Sequence, residues 1–147
     1  MTAADLGPDY TLTSGPPEPE DYLRLREQAG LGPRRPEQAQ AAVRGGWAAV
    51  HVVHRDDGPV GMGRVIGDGG WYFHIVDMAV LPEHQRRGLG DTILSALLGL
   101  IRDRAPAGAW VTLLADPPGR RLYTRHGFRE TAPHSLGMAL TLDESRP

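Results

Sequence analysis

From Trp47 to Leu81 the chain passes three times through a strand-like period, with a tight turn after each of the first two passes. Trp47 to His54 alternates small and β-branched residues, and Asp56-Asp57-Gly58-Pro59 makes a turn. Val60 to Ile66 resumes the pattern, Gly67-Asp68-Gly69-Gly70 turns again, and Trp71 to Leu81 completes the third run before Pro82. Connections this short join only antiparallel neighbours, so the centre of the chain is expected to be a meander. After Gly90 the period changes: Ile93, Leu94, Leu97, Leu98 and Ile101 fall on one face of a helix expected over 91–104 and stopped before Pro106.

The flanks complete the plan. Residues 1–17 are rich in Pro and Gly and read as a loosely held arm, or as a short first strand at Tyr10-Thr11-Leu12-Thr13. An acidic-started helix runs from Glu18 with Tyr22, Leu25 and Ala29 on one face and stops at Gly30. A second helix spans Pro36 to Arg44. Ala109 to Ala115 is nearly continuous apolar sequence, expected as a strand covered on both faces. Leu122 to His126 is expected as a helix stopped by Gly127, and Leu136 to Leu142 as a last strand. The order predicts an α+β fold, a mixed, mainly antiparallel sheet flanked by helices, in a single domain over 1–147.

Composition removes several classes of chemistry. With 16 basic and 18 acidic residues the net charge is −2, so no general basic surface is offered to nucleic acid. No apolar stretch is long enough for a membrane span, and the start Met-Thr-Ala-Ala-Asp lacks the basic and apolar regions of a leader, so a cytoplasmic location is expected. The absence of cysteine excludes disulfides, thiolate metal sites and thiol nucleophiles. The absence of lysine excludes Schiff-base chemistry and a phosphate loop of the Walker type. His51 and His54 point to opposite faces of one strand and make a poor metal pair, and no metal is expected.

The segment Val80-Leu-Pro-Glu-His-Gln-Arg-Arg-Gly88-Leu-Gly90-Asp91 stands between a strand and an amphipathic helix. Free N–H groups at a helix N-terminus attract phosphate, and glycines let the backbone approach it closely. Taken alone, the same fragment is equally readable as a tight turn carrying a solvated arginine pair.

Gln85-Arg86-Arg87-Gly88-Leu89-Gly90, after Val76-Asp77-Met78-Ala79-Val80-Leu81-Pro82-Glu83, closely resembles the acyl-CoA motif of the GCN5-related N-acetyltransferases. Leu122-Tyr123-Thr124-Arg125-His126-Gly127-Phe128 is similar to that family's second signature, in the right order. The resemblance spans residues 47–142. It implies that the backbone of Met78, Ala79 and Val80 pairs with the pantetheine arm of acetyl-CoA, and that Arg86, Arg87, Gly88, Leu89, Gly90 and Asp91 cradle the pyrophosphate. It also implies that Tyr123 stands near the CoA sulfur. Where many relatives carry an asparagine seven residues before the tyrosine, this chain has Asp116 followed by two prolines, which alters the helix start.

Acetyl transfer needs a neutral amine and therefore a base. By alternation His74, Val76 and Met78 share one face of a strand and Asp77 faces the other way. His74 is the candidate base, with a structural histidine bonded to a carbonyl as the alternative. Asp77 is read as a carboxylate held by a structural hydrogen bond. Tyr123 is the candidate acid for the departing thiolate, with ring packing as its alternative. Arg120, Arg121 and Arg125 are CoA-phosphate contacts or a solvated face, and Trp47, Trp71 and Tyr72 are pocket lining or core. The expected function is transfer of acetyl from acetyl-CoA to a primary amine of a small molecule or peptide, in a ternary complex, with a homodimer possible. The rival readings are a non-catalytic acyl-CoA sensor on the same fold and a nucleotide-binding module.

Overall fold

Five strands form one sheet in the order β1-β2-β3-β4-β5: β1 is Tyr10–Ser14, β2 Ala48–His54, β3 Gly58–Gly67, β4 Tyr72–Val80 and β5 Trp110–Leu113. The first four are antiparallel to their neighbours and β5 runs parallel to β4, giving the expected mixed, mainly antiparallel sheet. The computed structural model describes residues 6–142, which fall into two compact units, one running through Leu113 and one beginning at Leu114. The first holds the sheet with α1 (Pro19–Gln28), α2 (Pro36–Gly45) and α3 (Leu89–Arg104); the second holds α4 (Arg120–Arg125).

Each long element follows from its sequence. Pro19 and Pro36 open α1 and α2, where a missing N–H costs nothing, and Glu20 and Asp21 favour the positive end of the α1 dipole. Tyr22, Leu25 and Arg26 are the buried face of α1. In α3 the apolar stripe buries Leu89, Ile93, Leu94, Leu97 and Ile101 against β2, β3 and β4. Glycines at 61 and 63 let α3 approach β3: a Cβ at Gly63 would lie 2.8 Å from Ile93 Cγ2 and 3.0 Å from Leu97 Cδ1.

One open reading is decided and two expectations change. Of the two readings of the first segment the strand holds: every residue of Tyr10–Ser14 pairs with β2, from Tyr10 opposite His54 to Ser14 opposite Val50. The strand expected at 109–115 spans only Trp110–Leu113 and ends the sheet, with Trp110 50% exposed, so its apolar run marks a half-covered edge rather than a strand covered on both faces. Leu136 to Leu142 forms no strand: Leu136, Met138, Leu140 and Leu142 are all exposed, because alternation alone supplies no partner for the backbone.

The third change lies inside β4 and concerns its faces. On β3, Met62 and Arg64 are two residues apart, yet they face Ala79 and Val76, which are three apart. The extra residue is a β-bulge, and Asp77 within it takes a left-handed φ of 57°. Antiparallel partners share a face, so His74, Val76 and Ala79 lie with Ile66, Arg64 and Met62. Asp77 joins that same side by bonding to Arg64 and to Tyr22 and Arg26 of α1, whereas Met78 lies beside Gly63, Ile93 and Leu97 on the α3 side. Strict alternation had placed Asp77 and Met78 on the opposite faces.

Candidate functional site

β4 is paired on only part of its β5 side. The parallel ladder runs from Tyr72 opposite Trp110 to Ile75 opposite Leu113 and stops. From Val76 to Val80, no strand among the described residues lies along that edge, so the backbone of Met78, Ala79 and Val80 stands at an open sheet edge. The bulge at Asp77 is where the strand bends out of register with β3, and α1 holds it there. Tyr22, Arg26 and Arg64 all donate to its carboxylate, Arg64 Nε at 2.7 Å. Burial would push this carboxyl up, but the bonds from Tyr22 and Arg64 and the charges of both arginines outweigh it and hold the group below its ordinary value.

Past Val80 the chain makes one 3-10 turn at Pro82–His84 and enters the glycine loop. Arg86 has φ 62° and Gly88 φ 81°, both left-handed and separated by one residue of ordinary hand. Such alternation turns successive amide N–H groups into one concavity, a shape that suits anions. Gly88 caps α3 with no side chain bonded across its N-terminus, and the first intrahelical bond runs from Thr92 N to Gly88 O. The amides of Leu89, Gly90 and Asp91 therefore belong to the turn that has no helical acceptor. The side chains of Arg86 and Arg87 are exposed beside it, and Gln85 Nε2 donates to Val80 O at 3.0 Å, tying the loop to the end of β4.

His74 sits on β4 one turn of pleat before the open edge, half-buried, with Nδ1 2.7 Å from Thr112 Oγ1 on β5. Its bonding partner is thus a hydroxyl and not a backbone carbonyl. Burial lowers its pKa, so the ring is neutral at neutral pH. Trp47, half-buried, packs edge-on against Phe73 of the core at 4.8 Å, while Trp71 and Tyr72 meet edge-on and are exposed.

In the second unit, Asp116 starts a 3-10 turn over Pro117–Gly119 that leads into α4, which ends before Gly127 at φ 93°. Tyr123 lies against Gly119, where an added Cβ would come 2.7 Å from its ring, and edge-on to Phe128 at 6.1 Å. Burial first, and the Asp116 carboxylate second, raise its pKa, so the phenol keeps its proton at neutral pH. Arg120 Nε donates locally to Ala115 O at 3.0 Å.

The first unit thus brings Met78–Val80, Arg86–Asp91 and His74 onto one strand and its continuation, and Tyr123 belongs to the second unit. Sequence reasoning missed the trio Tyr22, Arg26 and Arg64 that holds Asp77. Arg26 falls at helical spacing from Tyr22 on α1, but an arginine on an apolar face gives no sign of which carboxylate it meets.

A family model for the acetyltransferase (GNAT) domain matches residues 46–130. Among solved structures, a probable acetyltransferase of unknown function from meticillin-resistant Staphylococcus aureus is 37% identical, covering 90% of this chain and 99% of its own, with a TM-score of 0.85. A GNAT-family protein from Streptococcus pneumoniae shares the fold at 22% identity and a TM-score of 0.72, covering 92% of this chain and 98% of its own. So does glucosamine-6-phosphate N-acetyltransferase from Arabidopsis thaliana, at 15% identity and a TM-score of 0.67, covering 92% of this chain and all of its own. No curated protein matched. With the open β4 edge running into a glycine-capped helix, and with this model spanning more than half of its length, the chain belongs to the GCN5-related N-acetyltransferase (GNAT) family.

Proposed function

We propose that the protein transfers the acetyl group of acetyl-CoA directly to a primary amine of a small molecule or peptide, with both substrates bound together. The observation that carries this reading is the open edge of β4 from Val76 to Val80, continuous with the loop of alternating backbone hand at the start of α3. The pantetheine arm contains amides and can pair with Met78, Ala79 and Val80 as an added strand. The pyrophosphate fits the N–H groups of residues 86–91, with Arg86 and Arg87 as counter-charges. Asp91 serves through its backbone, since its carboxylate would repel a phosphate.

The chemistry follows from the protonation states. The amine must lose a proton before its lone pair can attack the thioester carbon. His74 is neutral, and with Nδ1 engaged by Thr112 the acceptor nitrogen is Nε2, directly or through a water. Attack forms the C–N bond; collapse breaks the C–S bond and leaves a thiolate. The likeness of Leu122–Phe128 to the family's second signature makes Tyr123 our candidate donor for that sulfur, and its phenol is protonated at neutral pH.

An amine panel assayed by release of the CoA thiol tests the function. Acetyl-CoA-dependent thiol release with an acetylated amine as product supports it; saturable acetyl-CoA binding with no thiol release for any amine class leaves the sensor reading in its place.

A further inference from the structure

We propose that His54, Asp57 and His84 form a binding site for one divalent first-row transition metal of the zinc class. The three meet where the β2–β3 turn touches the start of the glycine loop, and one ligand atom from each lies within 4.8 Å of the others. His54 ends β2 and Asp57 follows it in the turn three residues on, whereas His84 comes from the connection after β4, so the fold brings the third residue to a local pair.

The geometry is close to what such an ion needs. Asp57 Oδ2 lies 2.8 Å from His84 Nε2 and 3.6 Å from His54 Nδ1. Ligands about 2.1 Å from a tetrahedral ion are about 3.4 Å apart, so these separations bracket the requirement and the third closes by roughly an ångström of side-chain movement. Two borderline imidazole nitrogens beside one hard carboxylate suit zinc, cobalt or nickel better than calcium or magnesium, which take oxygen ligands.

Hydrogen bonds already hold the candidate ligands in place. His54 Nδ1 receives the amide N–H groups of Asp56 and Asp57 at 3.3 Å each, two long bonds that an ion taking this nitrogen's lone pair would replace. Asp57 Oδ2 accepts a hydrogen bond from His84 Nε2 at 2.8 Å, so an ion binds here by taking the place of that proton between the two. His84 is buried, with its other nitrogen, Nδ1, 2.7 Å from the Tyr10 hydroxyl. A metal-ligating histidine ordinarily donates its second N–H to such an oxygen, which fixes the ring and frees Nε2 for the ion. Tyr10 also packs its ring against both histidines, at 4.9 Å from His54 and 5.6 Å from His84, giving the site a wall on one side. Asp57 is the exposed member and leaves the opposite side open for the ion to enter and for water to complete its coordination.

Bound there, the ion joins β1, the β2–β3 turn and the segment leading into Arg86. The test uses the full chain without a histidine tag, stripped of metal with chelator. Titration calorimetry with Zn2+ should show one equivalent bound, with a rise in the thermal midpoint, and Co2+ in its place should give visible absorption bands of nitrogen–oxygen coordination. Asp57→Ala changes an exposed turn residue and His54→Gln keeps a polar side chain, so both fold. Each should weaken Zn2+ binding by at least about tenfold and abolish the Co2+ bands, while Tyr10→Phe weakens binding about tenfold by releasing His84. His126→Gln should change nothing. Absence of a one-equivalent site in the wild type, or wild-type affinity in both Asp57→Ala and His54→Gln, overturns the proposal.

Discussion

Asp77 shows how much one side chain decides. Its left-handed backbone is tolerated because Asp is among the few non-glycine residues that enter that region, and its carboxylate is buried with two guanidinium groups around it. Removing one partner of a buried ion cluster typically costs about 3–5 kcal/mol, because the other charges stay buried and unpaired. Asp77→Ala should therefore lower stability by that amount in urea at neutral pH. The sign with pH follows from the depressed pKa. The native carboxyl ionises below its unfolded value of about 3.9, so its contribution is complete above that value and is lost as pH falls through it toward the native value. The gap between wild type and variant should close on acidification; a gap constant from pH 7 to pH 3 would assign the loss to the backbone instead. His74 and Tyr123 bear on turnover. A base must be unprotonated to act, and burial lowers the His74 pKa, so activity should persist to a pH below the ordinary histidine range. His74→Gln should reduce turnover about 100-fold and remove that acid limb. Tyr123→Phe keeps the ring, so acetyl-CoA affinity should hold while turnover falls about 100-fold; a near-normal rate would pass the proton donor's role to water.

At the scale of elements, the places where the sequence could be read are those where period and punctuation agree. The three strands of the meander, α3 and the stop of α4 at Gly127 fall within a few residues of expectation, because alternation, a helical stripe and a left-handed glycine each act locally. What alternation cannot express is an added residue. The bulge at Asp77 shifts the phase of everything after it, so Met78 turns toward Ile93 and Leu97 although the residues on either side look unchanged in sequence. Leu136 to Leu142 fails differently: it has a strand's pattern and no strand beside it. The cluster of His54, Asp57 and His84 was invisible because His84 reaches the local pair His54 and Asp57 only when the connection after β4 folds against the β2–β3 turn. The approach of α3 to β3 offers a direct test of the packing. A Cβ at Gly63 would come 2.6 Å from Met78 Sδ as well as close to Ile93 and Leu97, so Gly63→Ala should lower stability by about 1–3 kcal/mol in thermal or urea unfolding. An unchanged midpoint would show that the helix yields freely.

Across the whole molecule, the account rests on one continuous feature, the path from the open edge of β4 through the glycine loop to the head of α3. It is built by residues of ordinary chemistry in two unusual backbone states, at Asp77 and at Arg86 with Gly88, and the first is held by α1 rather than by the strand itself. None of the described helices is long and apolar enough to cross a membrane. The measurement that bears most directly on the central claim is calorimetric titration of the full chain with acetyl-CoA, beside ATP and NAD, in the wild type and in Gly88→Val. A valine at Gly88 would be strained at φ 81° and would place its branches where the pyrophosphate must approach the backbone. The account predicts one equivalent of acetyl-CoA bound by the wild type in preference to either nucleotide, and affinity reduced at least about tenfold in Gly88→Val while circular dichroism shows the fold retained. Equal affinity in the two proteins, or no binding of acetyl-CoA by the wild type, would contradict it.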